Sequence, residues 1–178
     1  MKSEDNRIMK ASVLFLVFAL SVPSVACRST STKYVHPNAD LGAITKVAVL
    51  PFENLTSERS AADKVQKIFY LELLTLQVFD VAEPGQVAKT LRAGGVTSTE
   101  ALGLSDLQRI GKELGVDGLF VGSVVDYADT RTGTTPTPEV TIEVRLVETQ
   151  SGSTIWSTSH TRAGAGVSHA CLDWEGSL

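Results

Sequence analysis

The sequence predicts an α/β fold, a single α/β sandwich in which helices pack on a mixed β-sheet. Two patterns support this class. Short Val-rich runs alternate with segments of helical periodicity, and the last two predicted strands flank a Gly-containing turn. The 178 residues are 43% hydrophobic and 20% charged, which is ordinary for one globular domain and excludes collagen-like and fully disordered classes.

The N-terminal segment has the composition of an export signal. Residues 1–10 are mostly polar and carry three basic side chains, and residues 11–22 are almost wholly apolar. Pro23 ends this run, which is shorter than the roughly 20 residues that a membrane-spanning helix needs. Small residues follow where a signal peptidase cuts. We therefore expect residues 1–26 to be a signal peptide.

Cys27 predicts a lipid anchor. It directly follows Ala26, as in a bacterial lipobox, whose cysteine is fatty-acylated, with palmitate as an acyl chain, and becomes the new N-terminus. Ser24 stands where a lipobox favours Leu, so ordinary secretion is the alternative, and Cys27 could then pair with Cys171 in an oxidising compartment. If Cys27 is lipidated, residue 28 is Arg and not the Asp that commonly retains lipoproteins in the inner membrane. By that sorting rule of bacterial lipoproteins, we expect the periplasmic face of the outer membrane of a Gram-negative bacterium.

The rest of the chain divides into a tether, a domain and a tail. Residues 27–43 begin with Cys27 and continue as a Ser- and Thr-rich stretch without periodicity, which predicts a flexible tether. Residues 44–163 form the predicted domain, with the element order β-α-β-α-α-β-β-β. Residues 164–178 are predicted to be an irregular C-terminal tail.

The first half of the domain contains two short strands and three helices. Residues 45–52 are apolar at their centre and predict a buried strand that Pro51 ends, and residues 78–81 predict a second strand. Between these strands, a helix over residues 61–76 carries one apolar stripe. Its members are Val65, Ile68, Phe69, Leu73 and Leu76. Two further helices are predicted up to Ala93 and Leu114, each followed by Gly.

The second half of the domain is predicted to end in an antiparallel hairpin. Residues 118–125 are apolar on both faces, residues 128–137 read as a loop, and residues 140–147 and 154–161 pair around a Gly turn. The strand over 140–147 alternates, with Val140 and its apolar neighbours on one side and Thr141, Glu143 and Arg145 on the other. We expect this polar side, with the adjacent loop, to bind a partner.

The sequence lacks the common motifs of catalysis and cofactor binding. It contains no Gly-x-Gly-x-x-Gly, phosphate-binding loop, Gly-x-Ser-x-Gly, Cys-x-x-Cys or His-Glu-x-x-His, so neither an enzyme nor a cofactor is predicted. The net charge of -4 argues against nucleic-acid binding. Four metal-ligand residue types lie close together near the C-terminus, but their spacing matches no metal motif and we expect no metal. These are His160, His169, Cys171 and Asp173.

Three segments, in order, resemble a known family. Residues 47–54 (VAVLPFEN), 114–124 (LGVDGLFVGSV) and 144–157 (VRLVETQSGSTIWS) are similar to the opening strand, central strand and hairpin of CsgG-type and LpoB-type periplasmic lipoproteins. The agreement extends over residues 45–162. The resemblance implies an outer-membrane lipoprotein whose domain faces the periplasm. It would bind envelope proteins without catalysis, in envelope assembly or secretion, as a single chain or as a homo-oligomer.

The alternative function is that of a subunit in a CsgG-type oligomeric secretion channel. CsgG itself inserts two long hairpins per subunit into the membrane, and each membrane strand needs about 9–11 residues. Residues 126–139 are few and rich in Thr, Asp, Arg, Gly and Pro, without apolar alternation. The sequence therefore predicts the periplasmic domain without the pore-forming hairpins.

Overall fold

The computed structural model describes residues 28–132 and 135–163, which form a 7-stranded mixed sheet with helices on both faces. The predicted single α/β sandwich is confirmed. The strands are β1 (Arg28–Val35), β2 (Lys46–Val49), β3 (Glu53–Asn54), β4 (Asp80–Val81), β5 (Gly118–Thr132), β6 (Thr135–Glu148) and β7 (Thr154–Ala163). The helices are α1 (Ala61–Leu76), α2 (Pro84–Ala93) and α3 (Leu104–Leu114), and Leu41–Ala43 form a 3-10 helix.

Strand β5 divides the sheet into a parallel half and an antiparallel half. The strand order is β1-β7-β6-β5-β2-β4, and β3 also pairs with β5. Strands β2, β3 and β4 run parallel to their neighbours, whereas β5, β6, β7 and β1 form an antiparallel series. The crossover helices that parallel strands require therefore lie over one half of the sheet.

The first face of the sheet packs against α1. Leu73 of α1 is fully buried against this face, as are Phe120 of β5 and Trp156 of β7. The ring of Phe120 meets that of Phe69 edge-on at 5.2 Å and that of Trp156 at 6.4 Å between centroids. Edge-on aromatic contacts of this kind add stabilisation beyond the area that they bury.

The second face packs against α2 and α3, but only beside β2 and the start of β5. Its core joins Leu91 of α2 and Ile110 of α3 to Ala48, Leu119 and Val121 of the sheet. The end of β5 and the antiparallel strands beyond it lie outside this helical layer. The polar side of β6 is consequently left uncovered on this face.

The expected flexible tether at residues 27–43 is wrong for residues 28–35. Residues 28–35 form β1, and each pairs with a residue of β7, from Arg28 opposite Ala163 to Val35 opposite Trp156. A run of Ser and Thr carries no apolar pattern by which a strand could be recognised. Backbone hydrogen bonds to β7 order it instead, so the domain begins at residue 28 and not at residue 44.

The expected loop at residues 128–137 is also wrong. Strand β5 continues to Thr132 and β6 begins at Thr135, and the two strands stay in register to this point after a bulge between Val124 and Asp126. Pro136 and Pro138 are tolerated in β6 because β7 pairs with it only from Glu139 onward. In the described residues, the edge of β6 that would face β7 is unpaired before Glu139. The backbone N–H groups that the two prolines lack are therefore not needed on that edge.

Two smaller differences concern the predicted strands. The strand predicted over residues 45–52 is shortened to β2, and β3 lies beyond Pro51, outside the predicted strand, where it pairs further along β5. The strand over residues 78–81 shrinks to β4, because Gln77 takes a left-handed conformation with φ 56° and Val78 is 55% exposed. The predicted signal peptide, Cys27 and the predicted tail at residues 164–178 lie outside the described residues.

The close approach of α3 to the turn after β6 provides a test of the packing. A Cβ at Gly111 would lie 2.5 Å from Cβ of Thr149, which is buried and donates a hydrogen bond to the carbonyl of Val116. We expect Gly111→Ala to lower the free energy of unfolding by about 1–3 kcal/mol in urea denaturation. The control is Gly85→Ala in α2, where a Cβ meets nothing within 4 Å. Equal stability of the two variants would contradict this packing.

Candidate functional site

The uncovered part of the second sheet face is polar, and we call it the polar sheet surface. It arises because β5, β6, β7 and β1 place Ser, Thr and charged residues there, while their apolar residues face α1. The pairs Val121↔Arg145 and Ser123↔Glu143 connect β5 to β6, and the ladder continues into β7 and β1. The residues of the surface are Thr32, Tyr34, Ser123, Thr141, Glu143, Arg145, Ser157 and Ser159.

An open groove of about 360 Å³ runs along the polar sheet surface. Ser123, Ser157 and Ser159 line it, Tyr34 of β1 contributes from one side, and Glu100 contributes from the loop between α2 and α3. Tyr34 is 47% exposed, which is high for an aromatic side chain. The groove thus offers hydroxyl groups, one aromatic ring and charged groups on a rigid sheet.

The three residues predicted to bind a partner all lie on this surface, but their environments differ. Thr141 shares a hydrogen bond of 3.0 Å with Thr161 of β7. Arg145 donates to the Glu100 carbonyl at 3.1 Å and lies 3.6 Å from its carboxylate. Within the described residues, the side chain of Glu143 makes no hydrogen bond or ion pair, so its exposed carboxylate is available to a partner.

The loop that contributes Glu100 is held at its other side by Glu53 of β3. The Glu53 carboxylate accepts hydrogen bonds from the Ser98 hydroxyl at 2.8 Å and the Thr99 amide at 3.0 Å. These bonds, led by that of Ser98, lower the pKa of Glu53, and burial opposes them. The Thr99 hydroxyl also donates to the carbonyl of Pro51 at 2.8 Å. The position of Glu100 is therefore fixed from both sides.

Several residues of the groove are not predicted by the sequence. Tyr34 lies in the segment expected to be a tether, and Glu100 lies in a loop that no pattern links to β6. Ser157 and Ser159 belong to a strand that was predicted, and their two-residue spacing is a signal that places them on one face. That alternation could have extended the predicted surface from β6 to β7.

The opposite face of the antiparallel strands carries a basic group of side chains. His160 and Arg162 of β7 share this face with Lys33 of β1. Burial lowers the pKa of His160, and the charges of Arg162 and Lys33 lower it further. Among the residues that the structure describes, no cluster of His, Cys, Asp and Glu could hold a metal ion; His169, Cys171 and Asp173 lie outside them.

Several solved structures share this fold. PelC from Paraburkholderia phytofirmans, a dodecamer, is 21% identical with a TM-score of 0.55, covering 79% of this chain and 86% of that chain. Lipoprotein GNA1162 from Neisseria meningitidis is 16% identical with a TM-score of 0.58, covering 71% and 88%. LpoB from E. coli is 18% identical with a TM-score of 0.52, covering 68% and 57%.

These likenesses show the fold alone, and they confirm that it is LpoB-like; the CsgG-like resemblance stays a prediction. No family model matches the sequence, and no curated protein is similar to it at a significant level. In the described part of the chain, no helix has the length and apolar character needed to cross a bilayer.

The environment of His160 predicts a pH dependence of stability. The pKa of His160 in the folded chain lies below the ordinary value of 6.5. Between these two pKa values the unfolded chain therefore binds more protons than the folded chain. The stabilisation present above pH 6.5 is therefore lost progressively as the pH falls toward the folded pKa. We expect His160→Gln to reduce this slope in urea denaturation between about pH 7 and pH 5. The control variant His36→Gln should retain it, and an equal slope in all three proteins would contradict the assignment.

Proposed function

We propose that this chain is a lipid-anchored envelope protein whose polar sheet surface binds a partner protein without catalysis. The observation that carries the proposal is the uncovered polar side of β6, with an exposed Glu143 in an open groove on a rigid sheet. Binding residues commonly lie on surfaces that a rigid scaffold positions. The proposal places the domain at the periplasmic face of the outer membrane.

The chemistry of the groove favours a protein segment as the ligand. The groove is open along the strands, so it would receive an extended chain that exchanges hydrogen bonds with the half-buried Ser157 and Ser159. Glu143 would pair with a Lys or Arg of the partner, and Tyr34 would contact an apolar side chain. Arg145 would act as a positioning residue, because it already joins Glu100 to the sheet.

The lipid anchor rests on the sequence and on one structural likeness. Cys27 follows the small residues of a signal-peptidase site, and a protein of the same fold is named as a lipoprotein. The dodecameric PelC of the same fold makes a second copy of this chain one of the partners to be tested. An association of that kind would favour the secretion-channel alternative.

Photo-crosslinking in intact Gram-negative cells tests the surface. With a benzophenone amino acid in place of Ser159, we expect a discrete adduct, and Glu143→Lys should reduce its yield. A roughly tenfold reduction corresponds to about 1.4 kcal/mol of binding free energy. Mass spectrometry of the adduct distinguishes a second copy of the chain from another envelope protein.

The controls for this experiment lie on helices outside the groove. A benzophenone at the exposed Gln86 of α2 should give no adduct of the same size. Glu72→Lys on α1, which changes the net charge equally, should leave the Ser159 adduct unchanged. The proposal fails if Glu143→Lys and Glu72→Lys have the same effect.

Metabolic labelling with an alkyne analogue of palmitate tests the anchor. The wild-type chain and Cys171→Ser should both take up label and sediment with membranes, because Cys27 remains. Cys27→Ala should lose the label. Equal labelling of Cys27→Ala and the wild type, or a disulfide between Cys27 and Cys171, would refute lipid attachment at Cys27.

A further inference from the structure

We propose that the partner of the polar sheet surface is a second copy of this chain, which presents the basic group on the opposite face of its own antiparallel strands. The basic group consists of Lys33 of β1 with His160 and Arg162 of β7. This inference rests on the proposed binding role of the polar sheet surface. It names the partner and the residues that the partner contributes to the contact.

The two faces of the antiparallel strands differ in charge. Strands β1 and β7 contain no Asp or Glu, so the basic group has no acidic neighbour on its own strands. The second face of β5 and β6 carries an acidic group, which consists of Asp126, Glu139 and Glu143. Among the described side chains of these two strands, Arg145 is the one base on that face, and the Glu100 carboxylate lies 3.6 Å from it. The sheet is therefore positive around one group and negative around the other.

The basic group is accessible beyond the helix that covers the first face. Helix α1 packs over β3, β4 and β5, whereas on β1 and β7 Lys33 is exposed and both His160 and Arg162 are half-buried. Burial lowers the pKa of His160, and the charges of Arg162 and Lys33 lower it further, so the three side chains lie close together. Nε of Arg162 is buried without a hydrogen-bond partner. In the described part of the chain, its guanidinium group makes no ion pair, and a carboxylate from a second copy would supply one.

The charges of the two groups have the same spacing along the strands. Glu139 and Glu143 are four residues apart on β6. Lys33 is level with Thr158, which is four residues from Arg162 on β7. Both pairs of charges are therefore separated by about 13 Å in the strand direction, at 3.3 Å per residue. Stacked sheets lie about 10 Å apart, a gap that the long side chain of Lys or Arg spans together with that of Glu. Each carboxylate thus meets one cation.

Apolar side chains beside the charges add to the contact. Ile142 and Val140 are half-buried and lie directly opposite His160 and Arg162. On the polar sheet surface of the other copy, the exposed ring of Tyr34 offers a complementary apolar group. Four strands of about 8 residues provide at most about 500 Å² of flat surface on each copy. A total of about 1,000 Å² is the lower limit for a specific interface, so we expect each contact to be weak.

The contact is head-to-tail because its two surfaces lie on opposite faces of one sheet. When the acidic group of one copy meets the basic group of the next, one group of each kind remains available for a further copy. Repetition of such a contact closes into a ring or continues as a filament. The assembly is formed by the sheet itself and needs no membrane-inserted hairpin.

Disulfide trapping of the full chain in Gram-negative cells tests this pairing. In a Cys171→Ser background, Ser31→Cys places a thiol opposite His160 in the basic group, and Thr141→Cys places one between the two glutamates of the acidic group. Residues 31 and 141 of one chain lie two strands and about 10 Å apart on opposite faces, too far for an internal disulfide. We expect the double-cysteine chain to form a series of disulfide-linked multimers in a non-reducing gel. Each single-cysteine chain should give several-fold less.

Charge reversal tests which residues pair. Glu143→Lys and Arg162→Glu should each lower the multimer yield of the double-cysteine chain about tenfold, and the two substitutions together should restore it. Lys33→Glu changes an exposed side chain and should act in the same direction as Arg162→Glu, which independently checks the effect of reversing a half-buried residue. Glu72→Lys on α1 is the matched control and should leave the yield unchanged.

Four results would contradict the inference. Reduced yield without recovery in the double reversal would refute the charge pairing. A strong dimer from either single-cysteine chain would refute the head-to-tail arrangement. Absence of multimers, together with a Ser159 adduct that contains another envelope protein, would overturn the second copy as the partner and leave the proposed function intact. Absence of both multimers and the adduct would refute the proposed function as well.

Discussion

The position of β5 between parallel and antiparallel neighbours is the constraint on which the rest of the structure depends. Parallel strands can be joined only by crossovers, so α1, α2 and α3 must lie over β2, β4 and the adjoining part of β5. The antiparallel strands are joined by tight turns and need no helices. One half of the sheet is therefore covered on both faces, whereas the second face of the other half is open.

The side chains of β5 follow this division along a single strand. Leu119, Phe120 and Val121 are almost completely buried because helices cover both faces at that point. Further on, Ser123 begins the polar sheet surface, whereas Val124 still faces the core beneath α1. The change from apolar to polar residues on one face marks the edge of the helical layer, and the groove begins at this edge.

The sequence predicts the fold well where side-chain burial leaves a pattern. The apolar centre of β2, the helical stripe of α1 and the alternation of β6 each reflect contact with the core, and they identify the correct element. The polar side of β6 likewise predicts the position of Thr141, Glu143 and Arg145 on one face. The pairing of Arg145 with Glu100 is not predicted in this way. Glu100 lies in a loop from a distant part of the chain that packs against the sheet, and no local pattern contains this information.

The elements that the sequence does not predict are joined to the sheet by backbone pairing. Strand β1 and the end of the β5–β6 hairpin contain mostly Ser, Thr, Pro and charged residues, which have no preferred face. The strand that pairs with β1 is distant in sequence. The two strands of the hairpin are adjacent in sequence, but the composition of their ends does not identify them as strands. Hydrogen bonds between strands depend little on the identity of the side chains, so such strands leave no periodic signal.

The groove depends on the pairing of β1 with β7. Fixing one backbone residue costs about 1–2 kcal/mol, whereas a backbone hydrogen bond returns about 0.5–1.5 kcal/mol net. From Thr30 to Val35 every side chain of β1 is exposed, so little burial offsets this cost. If β1 separated from β7, the groove would lose Thr32 and Tyr34. An intact groove thus requires the paired state of β1.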